Sequence, residues 1–73
     1  MLKIKSNIDL KELEKYGFKE GKYDYLLENN GCMVEISKEN KEIFMWDDYE
    51  GTKFDSGLNI LYDLIQAGLV EKV

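Results

Sequence analysis

Asp47, Asp48, Glu50 and Asp55 place four carboxylates within nine residues of chain, and a hard cation such as Ca²⁺ or Mg²⁺ takes oxygen ligands at that density. The calcium loop of an EF-hand does not fit them. With Gly51 at its invariant glycine, Trp46 falls on the first ligand position and Gly57 where the bidentate glutamate belongs. With Gly57 there instead, Thr52 comes first and Phe54 third. A weak, irregular divalent-metal site in the 47–55 acidic loop remains as an alternative to a solvated acidic loop. Paired carboxylates also do acid–base work in glycoside hydrolysis. A chain of 73 residues with no evident cleft offers little to bury a substrate or to raise one carboxyl's pKa.

Other chemistries are excluded by what the chain lacks. It has no His and a single Cys, so the usual zinc sites and the Ser-His and Cys-His nucleophilic pairs cannot be assembled within one chain. All ten basic residues are Lys, which removes the planar fork that reads phosphate or guanine. Cys32 has no neighbouring base to form a thiolate and alternates with core residues, so it reads as a buried structural cysteine. The glycines stand singly, with no phosphate loop among them. No catalytic residue, cofactor or regular metal site is expected, and the protein reads as non-enzymatic.

The second group that could act on another molecule is aromatic. Phe44, Met45 and Trp46 run directly into the acids of EIFMWDDYEG. Their meaning depends on the elements that position them. KYDYLLE and CMVEIS alternate apolar and polar residues as half-buried strands do. Asn30-Gly31 between them is a type I′ hairpin signal. With that loop, Leu27 lies opposite Val34 and Tyr25 opposite Ile36. With Glu39-Asn40 as the next loop, Ile36 faces Ile43 and Val34 faces Met45. One face therefore collects Tyr25, Leu27, Val34, Ile36, Ile43 and Met45 as the core. The other collects an apolar island of Leu26, Met33, Phe44 and Trp46, with Asp24, Glu28 and Glu35 among and around it. A one-residue slip at KENK would exchange the faces of the third strand. The island is either a contact surface or a face covered by the 48–57 connection or the C-terminal tail.

Flanking segments complete the fold. LKIK alternates as a short strand. DLKELEKYGF is a helix with Asp9 as N-cap, Glu12 in capping-box spacing, and Ile8 and Leu13 at staple positions. Gly17 ends it, with Phe18 folding back on Leu13. DYEGTKFDSG is a connection with a short extended piece at Lys53-Phe54. LNILYDLIQAG is a second helix, with Asp55 or Ser56 near its start and an apolar stripe of Leu58, Leu61, Leu64 and Ile65. Gly68 caps it, and Leu69 folds back on Leu64 ahead of a last strand, LVEKV. The expected class is α+β, in the order β-α-β-β-β-α-β. It is a single small domain (1–73), an antiparallel meander sheet with two helices on one face.

Net charge is −5 and lies wholly in the second half. Residues 1–38 carry seven Lys and seven acids, and residues 39–73 carry three Lys and eight acids. Acidity of this size argues against nucleic-acid or anionic-membrane partners. No apolar run reaches the length of a membrane span, and MLKIKSNIDL lacks the pattern of a signal peptide. A cytoplasmic protein is the expectation. LYDLIQAGLVEKV is similar to the end of a winged helix, but no helix-turn-helix precedes it, and the helix offers Asp63 and no Lys for phosphates.

DLKELEKYGFK and LYDLIQAGLVEKV together resemble short accessory proteins of low-GC Gram-positive bacteria and their prophages. The resemblance covers the two helix-to-strand junctions, about a third of the chain, and implies a small α+β accessory protein. It carries no functional residues to transfer. The residues themselves point to a protein-interaction module whose partner-binding surface is Leu26, Met33, Phe44 and Trp46 with Asp47, Asp48, Glu50 and Asp55. The partner would be a protein with a basic surface, as when a phage-style inhibitor presents acids to a nucleic-acid-handling enzyme. The alternatives are a homodimer through the same face and the weak divalent-metal site.

Overall fold

The computed structural model describes residues 1–29, 31–47 and 55–73. Along the chain come β1 (Leu2–Ile4), a 3-10 helix (Leu10–Tyr16), β2 (Lys19–Glu20), β3 (Asp24–Asn29), β4 (Cys32–Ser37), β5 (Ile43–Asp47), α1 (Asp55–Gln66) and β6 (Val70–Lys72). The α+β class holds. Beyond the expected meander, Lys19–Glu20 adds a short edge strand, giving a four-stranded antiparallel sheet in the order β2-β3-β4-β5. β1 and β6 form a separate antiparallel ribbon with Lys3 opposite Glu71. The ribbon touches the sheet through an isolated bridge between Lys3 and Glu42.

Alternation and turn chemistry set the register at the centre. Leu27 pairs with Val34, Tyr25 with Ile36, Val34 with Met45 and Ile36 with Ile43, as the two turns predict. Gly31 takes φ 82°, the left-handed conformation a tight hairpin asks of it; Asn30 lies outside the described residues. The second turn is wider than the two-residue loop expected. Lys41 N–H donates to the Ser37 carbonyl at 2.9 Å and Ser37 N–H to the Glu42 carbonyl at 3.1 Å, so residues 38–41 form the loop. Both loops are centred between Glu39 and Asn40, which is why the register survives. Ser37 Oγ and the Asn40 side chain accept from the N–H groups of Glu39 and Glu42, satisfying the turn locally.

Both helical segments stop by the same device. Gly17 (φ 94°) donates to the Glu14 carbonyl and Phe18 N–H to that of Leu13; Gly68 (φ 77°) donates to Ile65 and Leu69 N–H to Leu64. These are two Schellman motifs, and the residue after each glycine is buried with the residue five before it. The first segment differs from expectation in being a 3-10 helix. Asp9 accepts from the N–H of Lys11 at 3.0 Å. Glu12, expected to complete a capping box, turns to Lys15 at 2.9 Å instead.

The core packs the two helices against one face of the sheet. Ile4, Leu13, Phe18, Tyr25, Val34, Ile36, Leu64 and Leu69 are buried together, and Ile8, Leu10, Leu27, Ile43, Met45 and Ile60 pack against them half-buried. Cys32 is also buried, at the end of β4. The stripe on α1 needs correction. Leu64 is fully buried and Ile60 packs on the core, but Leu58 and Ile65 are 49% and 46% exposed. Apolar residues occupy most angles of this helix, so the packed face is chosen by fit to Val34, Ile36 and the ribbon rather than by composition. The extended piece expected at Lys53-Phe54 lies outside the described residues.

Candidate functional site

The pleat sends every second residue of the meander away from the helices. Across the strands, Leu26 pairs with Glu35 and Glu35 with Phe44; one step along, Glu28 pairs with Met33 and Met33 with Trp46. The four apolar residues of the expected island therefore share one face. Phe44 is 41% exposed and Trp46 39%, while Met33 on β4 and Leu26 on β3 are half-buried. The C-terminal tail does not lie over this face, since β6 pairs with β1.

The face is acidic as well as apolar. Asp24, Glu28, Glu35 and, by alternation from Phe44, Glu42 lie on it. Lys19, opposite Leu26 on β2, and Lys3, beside Glu42 on β1, sit at its two margins. Glu35 is the central acid, flanked by Leu26 and Phe44. A hydrogen bond with the Asp24 carboxyl, then partial burial, then the charge of Asp24 raise its pKa above the ordinary carboxylate value. Sequence reasoning put both acids on this face but missed their contact. The signal was there, because Asp24 lies diagonally across from Glu35 when Leu26 is its direct partner.

The acids after Trp46 fare differently. Asp47 ends β5 opposite Cys32, and Asp55 begins α1. Asp48 and Glu50 lie outside the described residues. Among the described residues no group of three or more His, Cys, Asp or Glu side chains is placed to hold a metal ion. A shallow concavity of about 230 Å³ lies where β2 meets β3, lined by Gly17, Lys19, Leu26, Leu27 and Glu28. It falls below the ~300–1,000 Å³ of small-molecule sites.

On the opposite side of the sheet Lys38 ties the second turn to the far edge. Its ammonium meets Glu20 at 2.7 Å and passes 5.6 Å from the ring centre of Tyr25. Glu20 is held below the ordinary carboxylate value by the hydrogen bond and then the charge of Lys38, and Tyr25 is raised chiefly by burial. These contacts belong to the packed face.

No helix among the described residues is long and apolar enough to cross a membrane. No protein-family model, curated protein or solved structure matches this chain.

Proposed function

We propose that the chain is a non-enzymatic protein-interaction module and that the outer face of the β2–β5 sheet binds a protein with a basic surface. One observation carries the reading: Phe44 and Trp46 remain about two-fifths exposed on a sheet face whose acids outnumber its lysines. Exposed aromatic and Met residues are the usual buried centre of an interface, and the acids around them would steer a cationic partner. An accessory protein that occupies the nucleic-acid site of an enzyme is one form of this activity. Pairing of the face with a second copy would set Glu28, Glu35 and Asp24 against like charges, which favours a different partner.

The test uses a helical Lys/Leu amphipathic peptide as a generic basic-apolar probe. Trp46 emission should shift on binding, the affinity should fall with salt, and Trp46→Ala should abolish binding read by calorimetry. Absence of binding, or binding indifferent to Trp46→Ala, refutes the reading. Light scattering on the protein alone, over a wide concentration range, decides the homodimer.

A further inference from the structure

The two edges of the sheet are built differently. β2 closes one edge with only Lys19 and Glu20, both charged and exposed, which is how natural sheets discourage strand addition. β5 forms the other edge with Ile43-Phe44-Met45-Trp46, where no Pro, Gly or charge interrupts. Two hydrogen bonds fix which backbone groups point outward. The Lys41 carbonyl accepts from Ile4 on the β1 side, and the Glu42 carbonyl accepts from Ser37 on the β4 side. By the alternation of an antiparallel ladder, Phe44 and Trp46 bond inward to β4, while Met45 and Asp47 turn their N–H and C=O groups away from it. Among the described residues β5 pairs on that side only through the bridge at Glu42. Met45 and Asp47 thus present a second hydrogen-bonding row beyond the end of β1.

We infer that the β5 edge takes up an extended basic-apolar segment of the partner as an added antiparallel strand. The inference rests on the reading of the outer face above and specifies how that face is used. Its chemistry follows from the neighbours. Alternate side chains of the added strand, which runs on from the end of β1, lie on the outer face beside Phe44 and Trp46, where lysine finds aromatic faces on a sheet face whose acids outnumber its lysines. The intervening side chains lie beside Met45, which is half-buried, where a β-branched apolar residue extends the core layer. The occupant is therefore a Lys/Val-type alternating segment, and strand addition supplies affinity through main-chain bonds.

The probe is an acetylated, amidated heptapeptide of alternating Lys and Val. Its control carries N-methyl groups on the valines, whose N–H groups face β5 in this register. The expected result is protection of the Met45 and Asp47 amides from hydrogen exchange by the plain peptide. The control should bind roughly tenfold more weakly or worse, as loss of one to two ladder bonds implies. Asp47→Pro, which removes an outward N–H at an edge where Pro is tolerated, should weaken binding similarly. Asp47→Asn should weaken it much less. Equal binding of both peptides with full dependence on Trp46 overturns strand addition and leaves the outer face standing. So does binding by the helical probe alone, whereas no binding by any probe removes both readings. Amides already protected in the free monomer, or protected as its concentration rises, overturn the inference in favour of the chain itself or a second copy.

Discussion

The ammonium of Lys41 donates to the main-chain carbonyl of Ile8 at 2.6 Å across 33 residues of chain, and to that of Ser6 at 3.0 Å. One side chain in the turn before β5 thus holds the loop that leads into Asp9 and the 3-10 helix. The backbone of Lys41 is itself left-handed, at φ 63°, which costs a residue with a Cβ about 1–2 kcal/mol. The geometry places two structural jobs on one residue, and they pull in opposite directions.

Lys41→Ala should destabilise the fold by roughly 1–3 kcal/mol through loss of charge-assisted hydrogen bonds to carbonyls. Lys41→Gly loses the same bonds but relaxes the backbone. The glycine variant should therefore be the more stable of the two by about 0.5–1 kcal/mol, reversing the ordinary order. Urea midpoints of the two variants measure the difference directly.

The two cap glycines give a matched pair. A Cβ on Gly68 would meet nothing within 4 Å, whereas one on Gly17 would lie 3.4 Å from Cδ1 of Leu27. Gly68→Ala should cost about 1–2 kcal/mol from its backbone conformation alone. Gly17→Ala should cost at least as much. Gly68→Asn should recover part of the loss, because Asn tolerates the left-handed region. Thermal melts rank all three.

On α1, Leu64→Ala should cost roughly 2–5 kcal/mol, a large part of the stability a domain this small commands. Leu58→Ala should cost less than about 1 kcal/mol, because Leu58 is nearly half exposed. Equal costs, read from denaturant midpoints, would mean that the helix packs by the stripe its spacing suggests.

Stability should respond to pH through Glu35. Its folded pKa is raised by the bond to Asp24 and by partial burial. Between the ordinary value of 4.5 and the raised one the native state binds more protons than the unfolded chain, so stability falls as pH rises through that window. Glu35→Gln should flatten the dependence there. Glu20 acts with opposite sign and at lower pH. Its depressed pKa gives stability that is present above the ordinary value and lost as pH falls through the folded one. Urea midpoints across the acid range, for the native chain and Glu35→Gln, separate the two.

The part of the fold written most locally was the part legible in the sequence. Asn30-Gly31 and strict alternation place Val34 and Met45 on one face and Met33 and Trp46 on the other without reference to the rest of the chain. The Gly17 and Gly68 stops are local for the same reason. β2 has two residues and no period to detect, and the pairing of Ile4 with Val70 joins opposite ends of the chain. On α1 the choice between Ile60 and Leu58 belongs to tertiary fit. At the candidate site, parity collected Leu26, Met33, Phe44 and Trp46 together. The Asp24–Glu35 contact was legible as a diagonal placement on that face, its hydrogen bond only from the side-chain geometry, and Asp48 and Glu50 lie outside the described residues.

The β1–β6 ribbon also determines how the molecule answers force. Leu2 pairs with Lys72, and Val73 N–H donates to the Met1 carbonyl at 2.9 Å, so residues 1 and 73 leave the ribbon at the same end. Tension applied at those two residues loads the cross-strand bonds one after another, as in a zipper, rather than all at once in shear. The ribbon should peel at low force and carry Ile4, Leu69 and Val70 out of the core. The Lys3–Glu42 bridge would part before the β3–β5 meander bears any load.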